Sequence, residues 1–191
     1  MRYTAASMEW AEEKLTTVDI NNNLLLATDS EGITAWHWAA CKGNLDILRK
    51  LWFWTDNKIT KEEINNKLLL STHSNRMAAW HWAAYRGKID ILPQVWEWAE
   101  EKLTTEDINN KLLLATDSEG RTAWHRAAYV GNLDVLQKLW NWVKEKLMRK
   151  ERSNKFLLVT DNEGRTIWHM AANEGTLEIF LKLWVWAIER Q

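Results

Sequence analysis

Residues 117–147 read DSEGRTAWHRAAYVGNLDVLQKLWNWVKEKL, and this stretch decides the fold. Residues 117–120, DSEG, are typical of a tight turn, because glycine accepts the positive φ that such turns need. Thr122 stands where a helix N-cap belongs, and the alanine-rich segment after it favours a short helix that ends at Gly131. Apolar residues then recur at helical spacing over 133–140. The stretch therefore predicts a turn, a short helix and a longer helix that returns antiparallel to it.

The same pattern returns along the chain with a fixed period. A Trp-His-x-Ala-Ala motif recurs every 44 residues, at Trp36, Trp80, Trp124 and Trp168. Two more tryptophan series share that period, namely Trp10, Trp54, Trp98, Trp142 and Trp186, and Trp52, Trp96, Trp140 and Trp184. A fixed period of about 20–50 residues is typical of solenoids, whose units bury their faces against neighbours. We therefore predict one continuous solenoid domain, with a partial unit at 1–28, unit one at 29–72, unit two at 73–116, unit three at 117–160 and a partial C-terminal unit at 161–191.

The composition favours a helical protein and excludes several other classes. The 191 residues include 15 Trp but only seven Gly and one Pro, which disfavours a β fold with many turns. Twenty-five Lys and Arg face 26 Asp and Glu, for a net charge of −1, so we predict binding neither to nucleic acid nor to a membrane surface. No apolar run reaches about 18 residues, and a single cysteine, Cys41, excludes an internal disulfide. These features favour a cytoplasmic protein.

The Trp-His segments resemble the ankyrin repeat, whose unit contains a turn, two helices and a T-P-L-H-x-A motif. The corresponding segments are TAWHWA at 34–39, AAWHWA at 78–83, TAWHRA at 122–127 and TIWHMA at 166–171. The D-x-x-G turn that precedes the motif in that family is present at 29–32, 117–120 and 161–164. The resemblance covers nearly the whole chain. It implies an all-α, ankyrin-like α-solenoid of stacked helical hairpins.

The repeat departs from the ankyrin pattern in its length. Its period is about 11 residues longer than the roughly 33 of an ankyrin unit, and the surplus follows the long helix. Capping-box patterns at 60–63 and 104–107 predict that another helix begins there. We therefore predict an additional short third helix in each repeat, roughly Glu106–Leu113 in one copy. The extra tryptophans, such as Trp98 and Trp142, are expected to fill the gap between that helix and the long one.

Unit two differs most from the other copies. HSNR at 73–76 replaces the Asp-to-Gly turn, and Ala78 replaces the capping threonine. His73 is interpreted as a loop residue, since it is the histidine outside the Trp-His series. Pro93 falls inside the predicted long helix, where we expect it to remove a backbone donor and kink the helix at a cost of about 3 kcal/mol.

The periodic histidines and tryptophans favour architecture over chemistry. Neighbouring histidines would lie about 8–10 Å apart, which is too far to share a metal ion. The ankyrin resemblance implies instead that each histidine binds the threonine of its motif. The implied pairs are Thr34–His37, Thr122–His125 and Thr166–His169. Most tryptophans are expected in the core, with each indole N–H bonded to a backbone carbonyl, although Trp38 and Trp82 could be exposed.

The sequence contains no phosphate-binding glycine loop, no Ser/His/Asp group and no HExxH or CxxC motif. We therefore predict no enzymatic activity, no cofactor and no bound metal, and instead a module that binds a protein partner. In proteins similar to this one, the turn tips and the ends of the short helices line a concave groove that binds partners. The candidate contact residues, which differ between units, are Glu31, Ile33, Lys42, Asn75, Met77, Tyr85, Arg86, Glu119, Arg121, Tyr129, Val130, Glu163, Arg165, Asn173 and Glu174.

An alternative remains open. Neither terminal unit carries a dedicated polar cap, although the terminal repeats of solenoids usually need one for solubility. The chain could therefore be a structural or self-associating segment of a longer ankyrin array that makes contacts through its uncapped ends. On that hypothesis the chain is a monomer or associates weakly.

Overall fold

The computed structural model describes residues 27–56, 62, 68–70, 72–146 and 155–188, and this part of the chain is helical without a β-strand. The helices are α1 (Ala35–Lys42), α2 (Leu45–Asp56), α3 (Ala79–Tyr85), α4 (Ile91–Lys102), α5 (Thr105–Asp107), α6 (Ala123–Tyr129), α7 (Leu133–Lys146), α8 (Ile167–Asn173) and α9 (Leu177–Ile188). Short helices thus alternate with long ones in the predicted order. The predicted all-α architecture of helical hairpins is confirmed.

The short helices pack against one another along the stack. Helix α1 contacts α3, α3 contacts α6, and α6 contacts α8, while each short helix also packs on the long helix that follows it. The alanine pairs explain the close approach, because Ala83, Ala84, Ala127 and Ala128 are all fully buried. Small side chains at these positions let neighbouring helices pack without voids.

The turns are closed by the residues that the sequence singles out. Gly131 has a φ of +70°, its N–H donates to the Ala128 carbonyl, and the Asn132 N–H donates to Ala127. The short helix thus ends, as predicted, at a glycine in the left-handed conformation. Turns of successive units are also joined, since the Asn162 N–H donates to the Glu119 carbonyl at 3.1 Å.

A histidine of the Trp-His motif connects unit three to the C-terminal unit. In α6, the His125 Nδ1 accepts from the Thr122 N–H at 3.2 Å and lies 2.9 Å from the Thr122 hydroxyl. Its Nε2 then donates to the Arg165 carbonyl of the next unit at 3.1 Å. His81 Nε2 donates instead to the Ala115 carbonyl, at the end of its own unit, at 2.8 Å. Burial lowers the pKa of His81 and of His125, so both rings are neutral at pH 7.

The threonine–histidine pairs implied by the resemblance are all present. The hydroxyl oxygen of the motif threonine lies 2.8–2.9 Å from the histidine Nδ1 in each case. The pairs are Thr34–His37, Thr122–His125 and Thr166–His169. Unit two has Ala78 in place of threonine, and there only the backbone N–H reaches His81, at 3.3 Å.

Indole rings from adjacent units stack between the long helices. Three parallel pairs have ring centres 4.5–4.9 Å apart and planes within 11° of each other. The pairs are Trp52 with Trp98, Trp96 with Trp142, and Trp140 with Trp186. Offset stacking at this distance stabilises aromatic pairs beyond the area that they bury. Trp98 and Trp142 therefore join one unit to the previous one. Their expected place between the third helix and the long helix stays a prediction.

The indole N–H groups of the motif tryptophans differ from our expectation. Nε1 of Trp36, Trp80 and Trp124 is buried without a hydrogen-bond partner. The rings lie instead among other aromatic rings, for example 5.6 Å from Trp36 to Trp98 between ring centres. Apolar packing therefore dominates at these positions, and the predicted bonds to backbone carbonyls are not made.

The third helix is present where the sequence predicts it, but its winding changes partway. Thr104 caps α5 by accepting from the Asp107 N–H at 3.1 Å, and the chain then continues as a π-helix over Ile108–Leu113. The wider winding is consistent with the burial of Ile108, Leu112 and Leu113 on one side. Only residue 62 of the matching capping pattern at 60–63 is described, and residues 1–26 of the partial unit predicted at 1–28 lie outside the described residues.

Pro93 removes no backbone hydrogen bond from its helix. Helix α4 begins at Ile91, two positions later than the other long helices in register, so Pro93 is its third residue. The first N–H groups of a helix have no partner within the helix, and proline loses nothing there. The expected interior break and its cost of about 3 kcal/mol are therefore wrong.

Candidate protein-interaction surface

Each short helix places three residues of equal register on the side of the stack where the turns lie. They are Trp38, Cys41 and Lys42 in α1, Trp82, Tyr85 and Arg86 at α3, Arg126, Tyr129 and Val130 at α6, and Met170, Asn173 and Glu174 at α8. We call this set the short-helix face. Cys41, Arg126 and Met170 are buried, and the other members are half-buried or exposed. The face is therefore available to a partner over most of its length.

The first position of this face is tied to the turn beside it. Trp38 Nε1 donates to Asp29 Oδ2 at 3.0 Å, and Arg126 Nε donates to Asp117 Oδ2 at 2.6 Å. The other oxygen of Asp29 accepts from the Ile33 N–H, and these two bonds hold the pKa of the Asp29 carboxyl below its ordinary value. A donor on the helix and an acceptor in the turn thus fix the face relative to the turn tips.

The C-terminal unit keeps this link with a different donor. The side chain of Met170 has no N–H group. Arg165 provides the side-chain donor in its place, since its Nε donates to Asp161 Oδ2 at 2.9 Å. Burial would raise the pKa of Asp161, but the backbone and side-chain N–H groups of Arg165 lower it overall. The Arg165 side chain is therefore held by the turn and is less free to contact a partner.

His73 lies in a loop, as expected, and takes the role of the turn aspartate in unit two. It is in register with the turn aspartates and is buried, and its Nε2 accepts from Trp82 Nε1 at 3.0 Å. Burial lowers the pKa of His73, which keeps this nitrogen unprotonated at pH 7. Arg76 takes the position of the turn glycine with a φ of +55°. The turn of unit two is thus rebuilt with other side chains.

Cations lie over the aromatic rings of the face in the first two units. Lys42 Nζ lies 5.4 Å from the centre of the Trp38 ring. Arg86 Cζ lies 5.3 Å from the Tyr85 ring and 5.7 Å from the Trp82 ring. A cation within about 6 Å of a ring is attracted to its face, which holds the long side chain in place.

The arginines of the later units are paired with carboxylates, and Arg121 and Arg126 also lie over tyrosine rings. Arg126 Nη2 and Arg121 Nη1 each lie 2.8 Å from the Glu119 carboxylate. Arg165 Nη1 lies 2.7 Å from Glu163. These pairs neutralise the positive charge near the turn tips of unit three and of the C-terminal unit.

The structure places the predicted contact residues in three groups. Ile33, Met77 and Arg121 are buried and offer little side-chain surface to a partner, because the turn folds over them. Tyr85 and Arg165 are half-buried. The exposed ones are Glu31, Lys42, Asn75, Arg86, Glu119, Tyr129, Val130, Glu163, Asn173 and Glu174.

Three of the members of the short-helix face that are missing from the predicted contacts have a structural role. They are Trp38, Trp82 and Arg126, which anchor the face to the turns. Trp38 is 43% exposed, so it is also a contact candidate in its own right. The signal was present, because this position reads Trp, Trp, Arg and Met in successive units and is not part of the constant framework.

A second surface is formed by the last unit. Trp168, His169, Ala172, Phe180 and Trp184 are half-buried or exposed, whereas their counterparts in the three preceding units are buried. We call these five residues the end face. Trp184 is 58% exposed, and no stacked indole covers it within the described residues. The end face thus consists of residues whose counterparts in the preceding units are covered by the next unit.

Two searches of the described residues bear on other functions. No group of three or more His, Cys, Asp or Glu side chains is placed there to hold a metal ion. No helix of that part of the chain is long and apolar enough to cross a membrane.

Comparison with known proteins identifies the repeat. The model of the ankyrin repeat family matches residues 31–56. A chain in the crystal structure of the yeast ribosomal protein Rps3 in complex with its chaperone Yar1 is similar in fold, with a TM-score of 0.61. The similarity spans 76% of this chain and 86% of that one at 20% sequence identity. No curated protein matches the sequence.

Proposed function

We propose that the chain is an ankyrin-repeat protein that binds a protein partner through the short-helix face and the turn tips without catalysing a reaction. The side chains of this face are held in place before any partner arrives, which lowers the entropy cost of binding. The solved neighbour contains a complex between a chaperone and a ribosomal protein. That finding supports a protein as the class of partner.

The observation that carries the proposal is the row of ordered aromatic and cationic side chains. Arg126 Cζ lies 5.6 Å from the Tyr85 ring, so the row continues from unit two into unit three. Tyr129 follows it and is 38% exposed. Tyrosine, tryptophan and arginine are the residue types most enriched at binding hot spots.

The test compares two double variants of the chain. Immobilised chain captures proteins from a cell extract, and the captured protein is purified and titrated against each variant by calorimetry. Tyr85→Ala with Tyr129→Ala should weaken binding by at least tenfold, since each removed hot spot costs about 1–2 kcal/mol. Glu101→Ala with Glu145→Ala, on the long helices, is the control and should bind normally. Equal affinity of the tyrosine variant and the unaltered chain would remove the proposal.

A second candidate function is self-association through the end face. It is favoured by the contrast between Trp184 and its counterpart Trp140, which is 1% exposed and stacked on Trp186 of the next unit. Sedimentation over a hundredfold range of concentration tests it. Self-association requires a rising average mass that Trp184→Ala abolishes, and a monomer at every concentration would exclude it.

We also propose a cytoplasmic location. The single cysteine, Cys41, is buried and free, which is compatible with a reducing compartment. Fractionation of expressing cells would test this, and recovery of the chain outside the cytosolic fraction would contradict it.

A further inference from the structure

We propose that units one and two of the short-helix face bind an acidic segment of the partner, with one carboxylate at Lys42 and a second at Arg86. This inference rests on the proposed function and names the chemistry of the partner. It begins from the charge of one register of the repeat. That register, the last position of the face, reads Lys42, Arg86, Val130 and Glu174 along the stack. The face therefore runs from positive to neutral to negative.

The two cations at the positive end differ from the other charged groups of the face. Both are exposed, and within the described residues they interact with aromatic rings and with no carboxylate. Arg126, in contrast, donates to Asp117 and to Glu119. Lys42 and Arg86 therefore keep their N–H donors available, and a carboxylate from outside could take them.

Aromatic support makes these cations better ligands for an anion. Lys42 lies over Trp38, and Arg86 lies over Tyr85 and Trp82. A cation held over a ring has already lost much of its rotamer freedom, so a new ion pair costs less conformational entropy. The rings beside it also offer apolar contact, which favours a segment that carries an apolar or aromatic residue between its acidic ones.

The spacing of the two cations restricts the sequence of the segment. Neighbouring short helices in a packed stack lie about 8–10 Å apart. An extended chain advances about 3.3 Å per residue, so about three residues span that distance. The spacing therefore points to an acidic pair at positions two or three residues apart (i,i+2 or i,i+3), bound in extended form across α1 and α3.

A nucleic acid fits this site less well. Phosphate backbones are bound through many cations at once, and their affinity follows the number of phosphates neutralised. Here two free cations stand on a chain of net charge −1, with Glu31 exposed in the turn next to them. Carboxylates of a protein match two isolated, ring-supported cations better.

Selection of peptides from a random 12-residue library displayed on phage tests the inference. Peptides selected on the unaltered chain should be enriched in Asp or Glu pairs two or three residues apart. Fluorescence anisotropy with the strongest peptide should then show at least a tenfold loss of affinity for Lys42→Ala with Arg86→Ala. The matched control, Lys138→Ala with Lys182→Ala, removes two charges from the long helices and should keep its affinity.

The outcomes separate this inference from the proposed function. The inference would be overturned if the selected peptides had no excess of acidic residues, or if the Lys42 and Arg86 variant bound with unchanged affinity. The proposed function would survive that result if Tyr85→Ala with Tyr129→Ala still lost binding. Failure to enrich any peptide above an unrelated ankyrin-sized helical control protein would count against both. If single-stranded poly-U RNA displaced the peptide, and bound the unaltered chain but not the Lys42 and Arg86 variant, the site would be assigned to nucleic acid and the inference would be overturned.

Discussion

Trp140 and Trp184 occupy the same position in consecutive units, yet Trp140 is 1% exposed and Trp184 is 58% exposed. The two helices around them have the same pattern, so the difference comes from the neighbour and not from the unit itself. Trp140 is covered by Trp186 of the following unit. The comparison teaches that one unit of this solenoid supplies half of a core and the next unit supplies the rest.

The largest expected effect is on the stability of the covered position. Trp140→Ala should lower the free energy of unfolding by about 3–5 kcal/mol, because it removes a stacked ring and leaves a cavity. Trp184→Ala should cost less than about 1 kcal/mol, since the ring is already largely in water. Urea denaturation followed by circular dichroism measures both. Similar losses for the two variants would break the comparison.

Two turn glycines give a second matched pair. Gly120 and Gly164 both have a φ of +75°, but a Cβ on Gly120 would lie 2.7 Å from the backbone nitrogen of Asn162, whereas nothing lies within 4 Å at Gly164. Gly164→Ala should therefore cost only the left-handed conformation, about 1–2 kcal/mol. Gly120→Ala should cost about 1–3 kcal/mol more, because the next turn must move. Thermal unfolding of both variants measures the difference, and equal melting temperatures would contradict the contact between turns.

The histidine links provide a third pair. His125→Ala removes the bond to the Arg165 carbonyl of the next unit, whereas His169→Ala removes only the contacts with Thr166. The first variant should be less stable than the second by about 1–3 kcal/mol, the usual cost of a buried group left unpaired. Denaturation midpoints of the two variants would show it. A larger loss for His169→Ala would mean that the links between units do not matter.

The smallest expected effect is a dependence of stability on pH. Burial lowers the pKa of His81 and His125 in the folded chain, so the unfolded chain binds protons first as the pH falls below about 6.5. Stability should therefore be full above pH 7 and decline as the pH falls below about 6.5. Asp29 and Asp161 have lowered pKa values and lose their contribution to stability only at more acid pH. His81→Gln with His125→Gln should flatten the decline, and an unchanged slope would exclude these histidines as its cause.

The sequence was sufficient for the parts of the fold that depend on local chemistry. The period of the tryptophans, the turn at 117–120 and the glycine at 131 predicted the hairpins. The Thr122–His125 pair followed from the ankyrin resemblance. The turn, the glycine and the threonine–histidine pair each involve residues close together in the chain, so a single unit is enough to predict them, whereas the period requires the comparison of several units.

The features that sequence reasoning missed depend on contacts between units, or on one residue type replacing another in the same hydrogen bond. Trp98 joins the previous unit, which no single repeat reveals. His73 replaces an aspartate as the acceptor for Trp82, although the two residue types share little besides that ability. Pro93 is accommodated because α4 starts later than its counterparts. Burial of Ile33 and Met77 under their turns likewise follows from packing and not from pattern.

Residue-resolved oxidation of the native chain tests most directly whether the indole layers hold successive units together. Brief exposure to hydroxyl radicals, followed by mass spectrometry, gives a rate for each tryptophan. The account predicts fast modification of Trp38 and Trp184 and at least tenfold slower modification of Trp52, Trp96 and Trp140, which are 7%, 4% and 1% exposed. Equal rates for Trp140 and Trp184 would show that the rings are not buried between units and would contradict it.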